Sequence, residues 1–244
     1  MALIGIPGTG KSLTAKMISG LWRLPLLRLD VGALFGSLVG ESEERLRLAL
    51  KITETVSPCV LWIDELEKSM ASGGLDGGTS QRVFGTILTW MQEKTSPVFV
   101  VATANDVQAL PPETLRRGRF DEVFFLDLPT DSERREILNV HLRKRLRDPA
   151  VFDVMRLARL ADGYVGAEIE QAIVDALYRA FADGPRDITT EDVAAALERL
   201  VPLSRSQRER IEDLRSWLRD GRAQSASFAE ASQAAEHQVR LELA

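Results

Sequence analysis

The stretch GIPGTGKS, Gly5–Ser12, decides the fold of this 244-residue chain. It fits the pattern G-x-x-x-x-G-K-[ST], a glycine-rich loop that wraps phosphates. Ala2–Ile6 before it reads as a short buried strand, and Ser12–Gly20 after it reads as a helix. Gly5, Gly8 and Gly10 let the backbone turn tightly and bring N–H groups against an anion. The helix start adds free N–H groups and a positive dipole end. Lys11 supplies a mobile charge for the outer phosphates, and the Ser12 hydroxyl is a ligand for Mg²⁺. Strand, loop and helix together imply a bound nucleoside polyphosphate.

Composition narrows the class. The chain is 45% hydrophobic and 27% charged, which suits one large domain or a domain with a small companion. A net charge of −5 offers no general attraction for nucleic acid. The single cysteine, Cys59, lies in an apolar strand pattern and makes no internal disulfide, which fits a reducing compartment. No apolar run approaches the ~20 residues of a membrane span. No signal peptide precedes the loop, so the cytosol or an organelle stroma is the expected location.

Strand-like and helix-like stretches alternate through the first half. LPLLRLDV (24–31), CVLWI (59–63), PVFVVA (97–102) and EVFFLDL (122–128) read as strands, and residues 43–54 and 81–93 as helices. With the first strand this makes five, the pattern of a parallel sheet in a three-layer α/β sandwich. Residues 70–80 are glycine-rich and polar and read as a loop. After Pro129 the strands stop. Residues 131–147, 153–161, 166–182 and 189–200 read as helices of a second, all-α subdomain, with Thr130 or Ser132 as a cap and ITTED (188–192) as another helix start. Residues 206–220 read as one more helix, and the tail beyond 222 as frayed helix or disorder. The expected division is 1–129, 130–201 and 202–244.

CVLWIDE sets Asp64 and Glu65 at the C-terminal end of the third strand, the edge where open parallel sheets bind ligands. Asp64 suits Mg²⁺ opposite Ser12, and Glu65 suits a water that attacks the γ-phosphate. The pair favours hydrolysis over transfer to an acceptor. VVATAND puts Asn105 just past the fourth strand, where its amide orients the attacking water or caps a turn. LRRGRF carries Arg116, Arg117 and Arg119, either a solvated basic turn or guanidinium groups that reach a neighbouring subunit's nucleotide.

GIPGTGKS, VLWIDE, VATAN and LRRGRFDE, in that order, resemble the AAA clade of the AAA+ ATPases over residues 1 to about 200. LRLDVGALFGSLVGESEERLR and TSPVFVVATANDVQALPPE are similar to a group encoded in algal plastid genomes and in cyanobacteria. The resemblance implies a P-loop NTPase αβα sandwich with a helical lid, and a homo-oligomeric ring, commonly of six subunits, that hydrolyses ATP with Mg²⁺. It implies nucleotide contacts from Gly5, Pro7, Gly8, Thr9, Gly10, Lys11, Ser12 and Leu13, with Ser12 and Asp64 at the metal. Glu65 becomes the base, Asn105 the γ-phosphate sensor, and Arg116 and Arg119 fingers acting in trans. In YVGAEIEQAI (164–173), Gly166 and Ala167 would pack near the adenine. Cytoplasm or plastid stroma follows as the compartment.

Departures from the family temper this picture. The aromatic residue of the pore loop is replaced by Leu38, flanked by Val39, while Phe35 reads as core in a continuing strand. The lid segment lacks the arginine that many AAA+ groups carry there. The loop strand starts at Met1, so the chain is expected to be a fragment, or its start codon to be assigned too late. HLRKRLR (141–147) is a candidate anion patch or a solvated helix face, and Trp22, Trp62 and Trp90 read as core. A ring ATPase remodelling a protein partner and a nucleotide-dependent scaffold both remain. A nucleic-acid motor lacks a basic, aromatic strand-binding surface.

Overall fold

The structure, a computed structural model, describes residues 1–34, 41–69, 78–111, 114, 119–184, 186–219 and 223–227. The expectations placed on Phe35, Leu38, Val39, Arg116, Arg117, residues 70–77 and the tail from 228 fall outside that set.

Contacts divide the chain into two units. Among the described residues the first comprises Met1–Gly5, Lys11–Leu126 and Trp217–Ala226; the second comprises Ile6–Gly10, Asp127–Ser216 and Ser227. The division runs through the phosphate loop itself.

The first unit is an α/β sandwich. Its strands are β1 (Ala2–Gly5), β2 (Leu26–Asp30), β3 (Cys59–Asp64), β4 (Val98–Ala104), β5 (Val123–Leu126) and β6 (Gln224–Ser225). They lie in the order β2-β3-β4-β1-β5-β6 and every pair is parallel. The helices are α1 (Lys11–Trp22), α2 (Glu41–Val56) and α3 (Thr79–Glu93). β1, β3 and β4 are almost wholly buried, as expected for strands covered on both faces. One face gathers Leu3, Val60, Trp62 and Val101 against Ala15 and Ile18 of α1. Alternate residues such as Leu61, Ile63 and Ala102 turn to the other face, where α2 packs on β3 and on α3. β1 is flanked by β4 and β5, so the loop after it leaves the sheet where the strand order reverses, the usual ligand crevice of such sheets.

The second unit is helical: α4 (Asp131–Lys144), α5 (Val154–Leu160), α6 (Gly166–Ala182), α7 (Thr190–Arg199), α8 (Leu203–Ser206) and α9 (Arg208–Trp217). Leu138, Leu142, Leu157, Ile169, Ile173, Val193 and Leu197 form its core. Thr130 is the α4 cap: its hydroxyl accepts from the Glu133 N–H at 3.4 Å while the Glu133 carboxylate accepts from the Thr130 N–H at 2.8 Å. Thr189 and Asp192 repeat this reciprocal cap at α7. Buried Arg134 donates to the carbonyls of Ala158 and Pro129, both at 2.8 Å.

Four details depart from the sequence reading. Among the described residues the sheet has six strands, because Gln224–Ser225 pairs beside Phe124–Phe125 where tail was expected. Gly32–Leu34 is a 3₁₀ turn, so the buried strand does not continue towards Phe35. Residues 206–220 are broken at Gln207, between α8 and α9. Trp22 is 47% exposed, meeting Phe99 edge-on at 4.7 Å rather than entering the core, while Trp62 is buried and Trp90 half-buried with its indole N–H on Glu54.

Candidate functional site

In the first unit the site is built on the C-terminal ends of β1, β3 and β4. Gly5 closes β1 with φ 145°, and a side chain there would meet the Leu126 carbonyl oxygen at 2.1 Å. Only glycine fits where β1 lies this close to β5. Lys11, the first residue of α1, is 6% exposed and its Nζ donates to the Gly5 carbonyl at 2.9 Å. A buried ammonium group whose contacts include a neutral carbonyl can exchange that partner for a stronger, anionic acceptor. Ser12 and Leu13 follow it on the exposed side of α1.

Asp64 ends β3, nearly buried. Its Oδ1 accepts from the Thr103 hydroxyl and its Oδ2 from Arg28 Nη2, each at 2.8 Å. The Arg28 guanidinium lies 4.9 Å from the centre of the Trp62 ring, which adds a cation–π contact. Glu65 follows with φ 51°, a left-handed conformation that costs a non-glycine residue about 1–2 kcal/mol. The Thr103 hydroxyl meets this strained turn by accepting from the Glu65 N–H at 3.3 Å. The Glu65 carboxylate pairs with Lys68 at 2.6 Å, which raises the Lys68 pKa. Thr103 thus serves both acidic residues from β4.

One turn on, Glu67 is buried and its Oε1 accepts from the Asn105 N–H at 3.1 Å. Burial pushes its pKa up, and the nearby Glu65 charge adds to this against the opposing hydrogen bonds. The β3 and β4 ends are therefore tied at two points, Thr103 with Asp64–Glu65 and Asn105 with Glu67.

The second unit carries the middle of the phosphate loop and the lid. Gly8 and Gly10 have φ 82° and 101°, and the Thr9 hydroxyl donates to the Ile6 carbonyl at 2.7 Å. Pro7 is half-buried. The Ala167 N–H, in the first turn of α6, donates to the Gly8 carbonyl at 3.1 Å, and Gly166 sits against the same oxygen. A side chain at Gly8 would meet Val165 Cγ2 at 2.8 Å. The Glu168 carboxylate accepts from the N–H groups of Val165 and Leu203, each at 2.9 Å, which fixes the start of α6. Also in this unit, His141, Lys144 and Arg145 converge on Glu170, and Arg147 pairs with Asp187. Four of the basic residues in 141–147 are therefore matched by the unit's own carboxylates. Burial alone would raise the Glu170 pKa, but hydrogen bonds from Arg145 and Lys144 and the charge of His141 outweigh it and hold the carboxyl at about 2.

The oxygen donors fit a hard divalent cation shared with phosphate. The Ser12 hydroxyl is exposed, and each Asp64 oxygen takes one hydrogen bond and keeps lone-pair capacity. Among the described residues no three His, Cys, Asp or Glu side chains group as a metal site; Mg²⁺ commonly takes one or two protein ligands and completes its shell with phosphate oxygens and water. No described helix is long and apolar enough to cross a membrane.

Of the residues expected from sequence, Asp64, Glu65 and Asn105 are tied together through Thr103 and Glu67, Lys11 folds back on Gly5, and Gly166 and Ala167 meet Gly8. Arg119 is half-buried in the turn before Phe120. Arg28, Thr103, Glu67 and Lys68 were not anticipated. Their signals were local: a cation and a hydroxyl inside apolar strands, and a third acidic residue in DELE.

The family described as the ATPase family associated with various cellular activities (AAA) matches residues 1–128, and the AAA+ lid domain matches residues 152–195. The AAA domain-containing protein ycf46 of Pyropia yezoensis is 53% identical over 232 residues, which is 93% of this chain and 47% of that protein. The proteasome-activating nucleotidase of Aeropyrum pernix is 34% identical over 205 residues, 81% of this chain and 50% of that protein. The ATP-dependent zinc metalloprotease FtsH 2 of Petrotoga mobilis is 34% identical over 206 residues, 82% of this chain and 32% of that protein. The chain spans about half the length of the Pyropia relative. With strands, phosphate loop, acidic strand end and lid in the family's order, the chain belongs to the AAA family of ATPases.

Proposed function

We propose that the chain binds ATP with Mg²⁺ and hydrolyses it, in a homo-oligomeric ring, commonly of six subunits, that remodels a protein partner. The observation that carries the hydrolytic part is the tie between β3 and β4: one buried hydroxyl, Thr103, holds both Asp64 and the strained Glu65. Strain met by a dedicated hydrogen bond at a ligand edge is the mark of a working position.

Lys11 would leave the Gly5 carbonyl for the outer phosphates, beside the N–H groups of the loop from Gly5 to Leu13. Ser12 and Asp64 would hold Mg²⁺, which supplies charge neutralisation on the phosphate oxygens. Glu65 would orient a water and accept its proton as the new O–P bond forms. The bond from the γ-phosphorus to the bridging oxygen breaks, and ADP and phosphate leave. Asn105 would orient the same water through its amide. Arg116 and Arg119 would act on a neighbouring subunit's nucleotide, and Gly166 and Ala167 would border the adenine. The proposed division is an ATPase part over 1–129, a lid over 130–201 and an appended segment over 202–244.

The names of the Aeropyrum and Petrotoga relatives, a proteasome-activating nucleotidase and an ATP-dependent metalloprotease, support a protein as the partner. The net charge of −5 offers no general attraction for nucleic acid. The proposed location is cytoplasm or plastid stroma. A second reading, a scaffold with slow turnover, draws on the 2.6 Å ion pair that engages Glu65 with Lys68.

Assembly is tested by ATP hydrolysis per subunit over a wide range of protein concentration, with Arg119→Ala beside the wild type. Specific activity that rises with concentration and collapses in the variant, with ATP affinity retained, supports sites completed in trans. Activity independent of both concentration and Arg119 would refute them.

A further inference from the structure

We infer that Glu67 is a positioning residue that sets Asn105 for the reaction, so that the acidic turn after β3 and the polar turn after β4 move as one body. This rests on the ATP-hydrolysis reading of the site.

Asn105 can act on a water or a phosphate oxygen only if its backbone is fixed. It follows directly on β4, where the ladder of strand hydrogen bonds ends at Ala104. In a half-buried place a backbone N–H needs an acceptor. The Glu67 Oε1 takes that N–H at 3.1 Å. Glu67 is only 8% exposed, a cost for a carboxylate that an ordinary surface acid does not bear. Its position is set in turn by the 3₁₀ turn Leu66–Ser69, which the Glu65 carbonyl closes by accepting the Lys68 N–H at 2.8 Å. Leu66, 2% exposed, anchors that turn in the core. The chain of support therefore runs from the core through Leu66 to Glu67 to Asn105. It is separate from the Thr103 link, which reaches Asp64 and Glu65. Misplacing a reacting group by about 1 Å can cost on the order of 100-fold in rate, so a backbone clamp of this kind acts on turnover rather than on affinity.

The test compares Glu67→Met, which keeps a similar length and removes the acceptor, with Glu67→Gln, which keeps an oxygen for the Asn105 N–H. Three quantities are read on the full chain: kcat for ATP, Kd for ATP, and hydrogen exchange of the Asn105 amide without nucleotide. The expected result is faster exchange and a 10- to 100-fold fall in kcat for E67M, with Kd within about twofold of wild type. E67Q should hold slow exchange and near-wild-type kcat. An E67M variant with unchanged kcat overturns the inference. So do equal losses of kcat, affinity and Tm in both variants, which would mark a purely structural role. A wild-type chain that binds ATP but releases no phosphate removes the hydrolysis reading, and this inference with it. That failure is visible before any variant is made.

Discussion

Two carboxylates, one in each unit, carry opposite instructions. Glu170 in the helical unit stands among His141, Lys144 and Arg145, and its pKa is held at about 2. Glu67 at the edge of the sheet is buried beside another acid, and its pKa is pushed up. In the helical unit several arginines meet fixed partners: Arg134 two carbonyls, Arg147 Asp187, Arg186 Asp192 through two hydrogen bonds. The sheet edge holds Lys11 on a carbonyl, Asp64 on a half-exposed arginine and Glu65 in a left-handed turn. One region is arranged for stability. The other keeps its charges in partnerships that a phosphate or a cation can replace.

The sharpest way to break this contrast is Lys11→Ala. Removing a buried charge aimed at phosphates should weaken ATP binding on the order of 100-fold, as charged hydrogen bonds contribute about 1.5–3 kcal/mol each. Isothermal titration with ATP measures it, and a tight-binding variant would show that Lys11 is merely structural. Arg134→Met tests the other side. It should lower stability by about 2 kcal/mol, because the carbonyls of Ala158 and Pro129 lose their donor, and leave ATP affinity unchanged. Thermal unfolding with and without nucleotide separates the two effects.

The carboxylates predict a smaller difference in pH dependence. Glu170 is depressed on folding, so its contribution is present above pH 4.5 and is lost as pH falls towards 2. With a third of the side chain exposed, the screened contribution is on the order of 1 kcal/mol. Glu67 is raised on folding, so its contribution is present below pH 4.5 and is lost as pH rises through its folded pKa. Denaturant unfolding should therefore show Glu170→Gln removing part of the acid sensitivity, and Glu67→Gln removing part of the loss towards neutral pH. Identical pH curves for both variants and the wild type would contradict the contrast. The smallest expected effect is from Arg28→Met, which frees one Asp64 oxygen: apparent Mg²⁺ affinity in the presence of ATP should rise by a few-fold, about 0.5–1 kcal/mol.

Much of this was legible in the chain. GIPGTGKS between an apolar strand and a helix gives β1, its loop and α1, and CVLWIDE gives β3 with its acids, because a buried parallel strand needs an unbroken apolar run. The helical unit was readable because Thr130 and Thr189 are caps with acidic residues three positions on. What escaped was set by tertiary pairing. β6 has two residues and exists through its bonds to β5, so no local pattern announces it. Thr103, Glu67 and Arg28 do leave a local mark, an out-of-place polar residue, but their roles are set by what lies across the sheet or across a turn. Trp22 was misread because an aromatic residue at a helix end can lie on the surface and still cover Phe99.

The measurement that bears most directly on the central claim is phosphate release from ATP by the wild type and by Glu65→Gln, with ATP binding measured on both. The account predicts turnover in the wild type, a loss on the order of 100-fold or more in the variant, and ATP affinity retained in both. Equal phosphate release by the two proteins would contradict it, since the strained carboxylate beside Asp64 would then have no part in the reaction.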